Sequence, residues 1–230
     1  MPYLRHDGDV AILYLGAEGA ELDPQNPENR FTNEWLSSVN DLLDEVEATG
    51  DAEGSGALVV TATGKFFTNG LDVPTLLGDS TAYLGAVHNL YARLLALPLP
   101  TVAAINGHAF GAGAMLATAL DYRIMRVDRG YYCLPEVSLG IPFSPGMRAL
   151  LRGRLPAQTA LEAMATGRRY GGPDAHAAGI VEATAPEQDV LSSAIARAAE
   201  HAGTRGKNLG VIKSGLHEAA LAALAMETTL

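Results

Sequence analysis

The chain has a single cysteine, Cys133, in 230 residues. One thiol forms no internal disulfide and builds no cysteine-cluster metal site, and it suits a reducing compartment, so a cytoplasmic location is expected. Basic residues are also scarce: 16 Lys and Arg stand against 26 Asp and Glu, for a net charge of −10. A nucleic-acid partner needs a basic face, and none is expected here. An anionic ligand would have to be held by local donors rather than by the overall field. No apolar run approaches the roughly 20 residues that cross a bilayer, so no membrane partner is expected. The opening MPYLRHDGDV carries an acid early and no apolar core, which argues against a secretory leader. Low-complexity tracts are absent. So are a Gly-rich dinucleotide fingerprint in a βαβ frame, a Walker loop and His-Glu pairs at metal-ligand spacing, so neither a separate cofactor nor a metal is expected.

What is present is ordinary for a globular chain: 48% hydrophobic residues, enough for one sizeable core. The organising stretch is Thr101 to Arg123, TVAAINGHAFGAGAMLATALDYR. Thr101 to Ile105 reads as a buried strand, Asn106-Gly107 as a turn, and Ala114 to Leu120 as helix. The first N–H groups of such a helix lack partners within it and sit at the positive end of its dipole. Gly111, Ala112 and Gly113 let another group approach closely. The stretch reads as a donor site for an anion or a developing oxyanion, or equally as a plain strand-turn-helix connection.

In order, Asp7-Gly8 between apolar runs predicts a hairpin, and residues 19–30 a loop. Trp35, Leu36, Val39, Leu42, Leu43 and Val46 predict an amphipathic helix ending near Gly50. A strand follows at 57–62, a loop at 64–74 and a helix at 80–97. Beyond the central stretch come a strand at 122–127, a short aromatic segment at 131–134, helices at 145–152 and 156–166, and a small helix at 174–178. A last strand at 180–181 and helices at 187–201 and 208–226 complete the reading. Alternating strands and helices imply an α/β class with largely parallel pairing. Residues 1–185 form the expected core, and 186–230 a helical region whose apolar positions pack on a neighbouring subunit or on the chain's own core.

Two segments together narrow the function. One is Gly64-Lys65-Phe66-Phe67-Thr68-Asn69-Gly70-Leu71-Asp72; the other is Asn106-Gly107-His108-Ala109-Phe110-Gly111-Ala112-Gly113. The pairing resembles the crotonase family of enoyl-CoA hydratases and isomerases over about residues 8 to 200. The resemblance implies a crotonase-like spiral of strand-strand-helix turns with a helical C-terminal region, assembled as homotrimers or hexamers. It implies an acyl-CoA thioester substrate, with coenzyme A as part of the substrate. It also assigns oxyanion donors to the amides of Thr68 and Ala112, and CoA contacts to Lys65, Phe66, Gly70, Leu71 and Asp72. Two preorganised N–H donors stabilise an enolate oxygen as charge develops on it.

Family hydratases place one glutamate three residues after the second donor, and Met115 stands there. The second glutamate belongs to a Pro-Glu-x-x-x-Gly segment, present as Pro135-Glu136-Val137-Ser138-Leu139-Gly140. One carboxylate moves a proton between two carbons without help, so Glu136 as sole acid and base implies an enoyl-CoA isomerase shifting a double bond from position 3 to position 2. A hydratase or another acyl-CoA reaction with a recruited second group, and a catalytically weak acyl-CoA binder, are the alternatives. Burial among apolar side chains would raise the pKa of Glu136. Met115, Leu139 and Phe143, with Met147, are expected to line the acyl pocket or simply the core. Asp72 is expected to fix its loop, Asp121 and Cys133 to be structural, and His108 to be a polar neighbour. Arg168, Arg169 and Lys213 are expected either to meet CoA phosphates or to solvate a face.

Overall fold

The computed structural model describes residues 1–19, 29–48, 56–78 and 80–228. Most of the expected loop at 19–30 and the end of the first helix at Gly50 lie outside the described residues. Strands β1 (Tyr3–Asp7) and β2 (Val10–Tyr14) form the expected hairpin. β2 then continues into a parallel array with β4 (Ala57–Thr61), β7 (Thr101–Ile105), β9 (Tyr122–Arg126) and β11 (Ala183–Ala185). The sheet order is β1-β2-β4-β7-β9-β11, and only β1 runs antiparallel. β4 and β7 are buried at every position, as parallel strands covered on both faces must be.

The pleat sends alternate residues to two cores. Val10, Ile12, Val59, Val102, Ala104 and Ile124 face helix α9 (Glu187–Ala199), which answers with Val190, Ala194 and Ala198. Leu58, Val60, Ala103 and Ile105 face the larger core. There they meet α1 (Asn33–Ala48), α3 (Ser80–Ala96) and α4 (Ala112–Ala119). Trp35 pins α1 to the hairpin, its indole N–H donating to the carbonyl of Leu15 at 2.9 Å.

A second layer of short strands makes the spiral. β5 (Phe66–Thr68), β8 (His108–Phe110) and β10 (Tyr132–Cys133) form a parallel three-stranded sheet, and β3 (Arg30–Phe31) pairs with β6 (Gly70–Leu71). Each turn of chain gives one strand to the large sheet, one to the small sheet, and then a helix. The sequence reads these short strands as loop and turn, because two or three residues carry no period. Asn106 and Gly107 join β7 to β8, and the Asn106 side-chain amide donates to the Gly64 carbonyl at 3.1 Å.

The remaining helices are α2 (Val73–Leu77), α5 (Glu136–Leu139), α6 (Pro145–Arg154), α7 (Ala157–Thr166), α8 (Gly172–Ala177), α10 (Lys207–Leu216) and α11 (Glu218–Leu224). Two boundaries differ from expectation. The last strand lies at 183–185, because Ile180 is buried and its carbonyl is taken by the Arg123 guanidinium at 2.5 Å. The expected helix 208–226 breaks at His217, which lets α11 pack on α6 and α3 while α10 packs on α3. Thus α9 and α11 cover the chain's own core, the second of the two roles expected for the C-terminal region. Among the described residues, no helix is long and apolar enough to cross a membrane.

Backbone contact between turns tests this arrangement. A Cβ on Gly107 would sit 2.1 Å from the Lys65 carbonyl oxygen, whereas one on Gly85, within α3, would meet nothing within 4 Å. Gly107→Ala should lower stability by at least about 1–3 kcal/mol in denaturant melts. Gly85→Ala should raise it by up to about 1 kcal/mol.

Candidate active site

The site begins at the turn before α4. Gly111 adopts φ +53°, a left-handed conformation that glycine tolerates. Its N–H donates to the Cys133 carbonyl at 2.9 Å, and its carbonyl accepts from Met115 N–H at 3.0 Å. Ala112 is the first helical residue, and its N–H has no acceptor among the described residues. Tyr91 donates its hydroxyl to the Ala112 carbonyl at 2.8 Å from within the core. The free amide therefore stands on a fixed peptide at the positive end of a helix.

The loop from β5 to β6 lies directly against this turn. A Cβ on Gly70 would be 3.1 Å from the backbone nitrogens of both Ala112 and Gly113. A Cβ on Gly113 would be 2.6 Å from Thr68 Cγ2 and 2.7 Å from the Thr68 carbonyl oxygen. The missing side chains are what let the two segments touch.

The structure places Thr68, the expected donor, within a strand ladder. Thr68 is 0% exposed and belongs to the ladder between β5 and β8. Its hydroxyl donates to the Asn29 carbonyl at 2.6 Å and accepts the Gly70 N–H at 3.0 Å. Thr68 thus supports the loop from beneath. Two residues on, the Asp72 N–H donates to the Tyr83 hydroxyl at 2.8 Å, and that hydroxyl donates to the Phe31 carbonyl at 2.7 Å. The amides of Gly70 and Asp72 both point towards the β3 side. Gly70 itself stands at φ +77°, and its backbone touches the start of α4. Leu71 is the motif residue that lies between these two anchored amides. The sequence motif contained Leu71 but gave no means of choosing among its amides.

Glu136 opens the one-turn helix α5, after β10 and Pro135. Gly140 closes that helix at φ +68°, with its N–H on the Glu136 carbonyl. The Glu136 side chain turns inward: the residue is 8% exposed, and Oε2 is buried without a hydrogen-bond partner among the described residues. Oε1 lies 3.3 Å from where a Cβ on Gly111 would be. A carboxylate with one unpaired oxygen therefore sits beside the donor turn, and glycine at 111 makes room for it. Burial pushes its pKa up to about 7, opposed weakly by its own backbone N–H. No second carboxylate contributes, as the Met115 reading anticipated. Burial also raises the pKa of Tyr91 and of Tyr132, with the Glu136 charge a smaller cause in both.

The other expected residues divide. Met115 is buried in α4, one turn along from Ala112. Phe143 lines a largely apolar cavity of about 470 Å³ with Arg152, Ala157, Ala160, Leu161 and Met164. Leu139 is 63% exposed, because α5 is one surface turn and buries only Glu136. Lys65 is half-buried, with its ammonium 5.4 Å from the centre of the Phe66 ring. Asp72 caps α2, accepting from Thr75 N–H at 3.2 Å and from the Thr75 hydroxyl at 2.6 Å, which is the loop-fixing role expected of it. His108 stands among Phe66, Phe110 and Tyr131, and burial lowers its pKa, with Lys65, Arg129 and Arg169 adding to the effect. Cys133 is buried, and burial raises its pKa. Arg168 pairs with Glu162 on an exposed face. Lys213 does not solvate a face; it is buried against Asp121 at 2.9 Å. Among the described residues, no cluster of three or more His, Cys, Asp or Glu suits a metal ion.

A family model described as enoyl-CoA hydratase/isomerase matches residues 20–229. The chain belongs to the enoyl-CoA hydratase/isomerase family. It is 33% identical over 196 residues to a peroxisomal enoyl-CoA delta isomerase 2 of Arabidopsis thaliana, covering 81% of this chain and 78% of that protein. Enoyl-CoA delta isomerase 3 of the same plant is 34% identical over 79% of this chain and 76% of its own length. The fold matches an enoyl-CoA hydratase from Mycobacterium marinum with a TM-score of 0.84 at 25% identity, over 97% of this chain and 94% of that one. Human mitochondrial delta3-delta2-enoyl-CoA isomerase matches with a TM-score of 0.81 at 25% identity, over 96% and 84% of the two chains. The crotonase resemblance and its spiral fold are thereby established for this family member.

The buried carboxyl has a consequence for stability. A raised folded-state pKa means the folded chain holds the Glu136 proton more tightly than the unfolded chain does. The resulting stabilisation is complete below the unfolded value near 4.3 and is lost as pH rises through about 7. Glu136→Gln removes this penalty. The variant should match the wild type at pH 4 and exceed it at pH 8, by up to about 3 kcal/mol, in paired denaturant melts.

Proposed function

We propose that this enzyme isomerises 3-enoyl-CoA thioesters to 2-trans-enoyl-CoA thioesters. The observation that carries the reading is the lone carboxylate of Glu136 beside the Gly111–Ala112 turn, with Met115 where a second carboxylate would stand. The relatives named as enoyl-CoA delta isomerases agree with it.

In this scheme the thioester oxygen lies between the N–H groups of Leu71 and Ala112. Glu136 takes the proton from the carbon next to the thioester, and charge moves onto the thioester oxygen. The two amides stabilise that enolate without reorganising, since both peptides are already held. Glu136 then returns the proton two carbons along, and the double bond comes to rest beside the thioester. A pKa of about 7 suits a group that must both accept and release a proton near neutral pH. Lys65 and Phe66 flank the loop along which the CoA moiety runs, with Gly70 to Asp72 as its inner edge, and the reaction needs no separate cofactor. Phe143 and its cavity take the acyl chain. Exposed Val137 and Leu139 flank Glu136 and invite a neighbouring subunit, consistent with a homotrimer or hexamer. The buried thiol of Cys133 suits the cytoplasm.

Wild-type enzyme should turn over a 3-enoyl-CoA and leave a 2-enoyl-CoA unhydrated. Rapid water addition to the 2-enoyl substrate would make it a hydratase instead. Glu136→Gln should bind CoA esters normally, lose isomerisation by several orders of magnitude and fail to exchange the proton beside the thioester in heavy water. Ala112→Pro removes a donor at the first helical position, where proline is tolerated; its turnover should fall about 10²–10³-fold. For the wild type, kcat/KM should rise with pH through an apparent pKa near 7 rather than near 4. Met115→Glu should introduce measurable water addition.

A further inference from the structure

A cavity of about 700 Å³ opens at the N-terminal ends of β7 and β9, the end of the large sheet away from Gly111 and Glu136. Its wall includes Asp121, Tyr122, Arg154, His201, Lys213 and His217. Asp121 is the one carboxylate among the lining residues, and it faces two cations. Its Oδ2 already accepts from Lys213 Nζ at 2.9 Å and from Thr101 N–H at 2.9 Å.

Donors outnumber acceptors on this wall. Lys213 has three N–H bonds and uses two, one to Asp121 and one to the Leu99 carbonyl at 3.2 Å. Arg154 donates through Nε and Nη2 to the carbonyls of Thr118, Leu120 and Asp121, capping α4, while its Nη1 has no acceptor among the described residues. His201 stacks on Tyr122, and its Nε2 is buried without a partner among the described residues. Arg205 also lines the cavity and donates to the carbonyls of Val46 and Glu47.

Beside these donors runs an apolar stripe. Leu209, Ile212 and Leu216 recur at three- and four-residue spacing on α10, so they share one face, and all three line the cavity. Ile212 is 50% exposed and Leu216 75% exposed.

We propose that this cavity binds an amphipathic anion of the fatty-carboxylate class. The head accepts from Arg154 Nη1, Lys213 Nζ and His201 Nε2, and the hydrocarbon tail lies along Leu209, Ile212 and Leu216. A bare inorganic anion leaves the stripe exposed, and an uncharged amphiphile leaves the donors unmet. The site holds whatever chemistry Glu136 performs.

Isothermal titration calorimetry with octanoate, 1-octanol and inorganic phosphate tests the assignment on the full chain. Octanoate should bind one per chain, with octanol and phosphate weaker by at least about tenfold, the worth of a charged hydrogen bond or of the buried tail. Leu216→Glu sets a charge in the tail path at an exposed position, and His201→Phe keeps the stack on Tyr122 while removing the donor. Each should weaken octanoate by about tenfold or more with unchanged circular dichroism. No saturation at millimolar octanoate overturns the proposal. So does octanol or phosphate binding as tightly as octanoate, or unchanged octanoate binding in either variant, which would place the ligand elsewhere. Sedimentation equilibrium supplies the last arm: if Leu216→Glu dissociates the assembly, the stripe is a subunit contact and the proposal falls.

Discussion

Backbone touching backbone is the constraint on which this molecule depends. The loop from β5 to β6 and the start of α4 approach closely because Gly70 and Gly113 have no side chains. Gly107 does the same one strand earlier, against the Lys65 carbonyl. Any Cβ at these points would wedge apart the two peptides that present Leu71 and Ala112. Buried hydroxyls then fix the orientation that the glycines permit. Thr68 and Tyr83 relay the amides on either side of Leu71 to carbonyls of the β3 region, and Tyr91 holds the Ala112 carbonyl. The hydroxyls of Thr68, Tyr83 and Tyr91 thus each tie the backbone around the turn to a fixed partner.

The carboxylate obeys the opposite logic. Glu136 is buried, and its Oε2 has no hydrogen-bond partner among the described residues. Such a group is expensive in its charged form, and the pKa of about 7 is the result. Donors fixed by hydrogen bonds and a base left without them are complementary parts of one device.

Much of this was legible in the sequence. The long apolar runs gave the large sheet, the three- and four-residue spacing gave α1 and α3, and the Pro-Glu-x-x-x-Gly segment gave Glu136 and the cause of its raised pKa. Three things were not legible, each for a physical reason. The small sheet is built of strands too short to show a period. The proposed role of Leu71 rests on how the amides beside it are anchored, and the Tyr83 hydroxyl and the Asn29 and Phe31 carbonyls that anchor them lie outside the motif. Lys213 looked like a surface charge because its partner, Asp121, lies 92 residues away in the chain.

The donors proposed at Leu71 and Ala112 are peptide groups, and this separates two kinds of inheritance within one site. Replacing the side chain at 71 or 112 leaves the N–H in place, so long as proline is avoided and the spacing glycines stay. Replacing the side chain at 115 or 136 changes which protons can move and where. The machinery that tolerates negative charge on a thioester oxygen is thus written into the course of the chain, whereas the identity of the reaction rests on one or two carboxylates hung from other turns of the spiral. A chain of this shape can exchange one acyl-CoA reaction for another by point substitution without rebuilding the part that makes any of them fast.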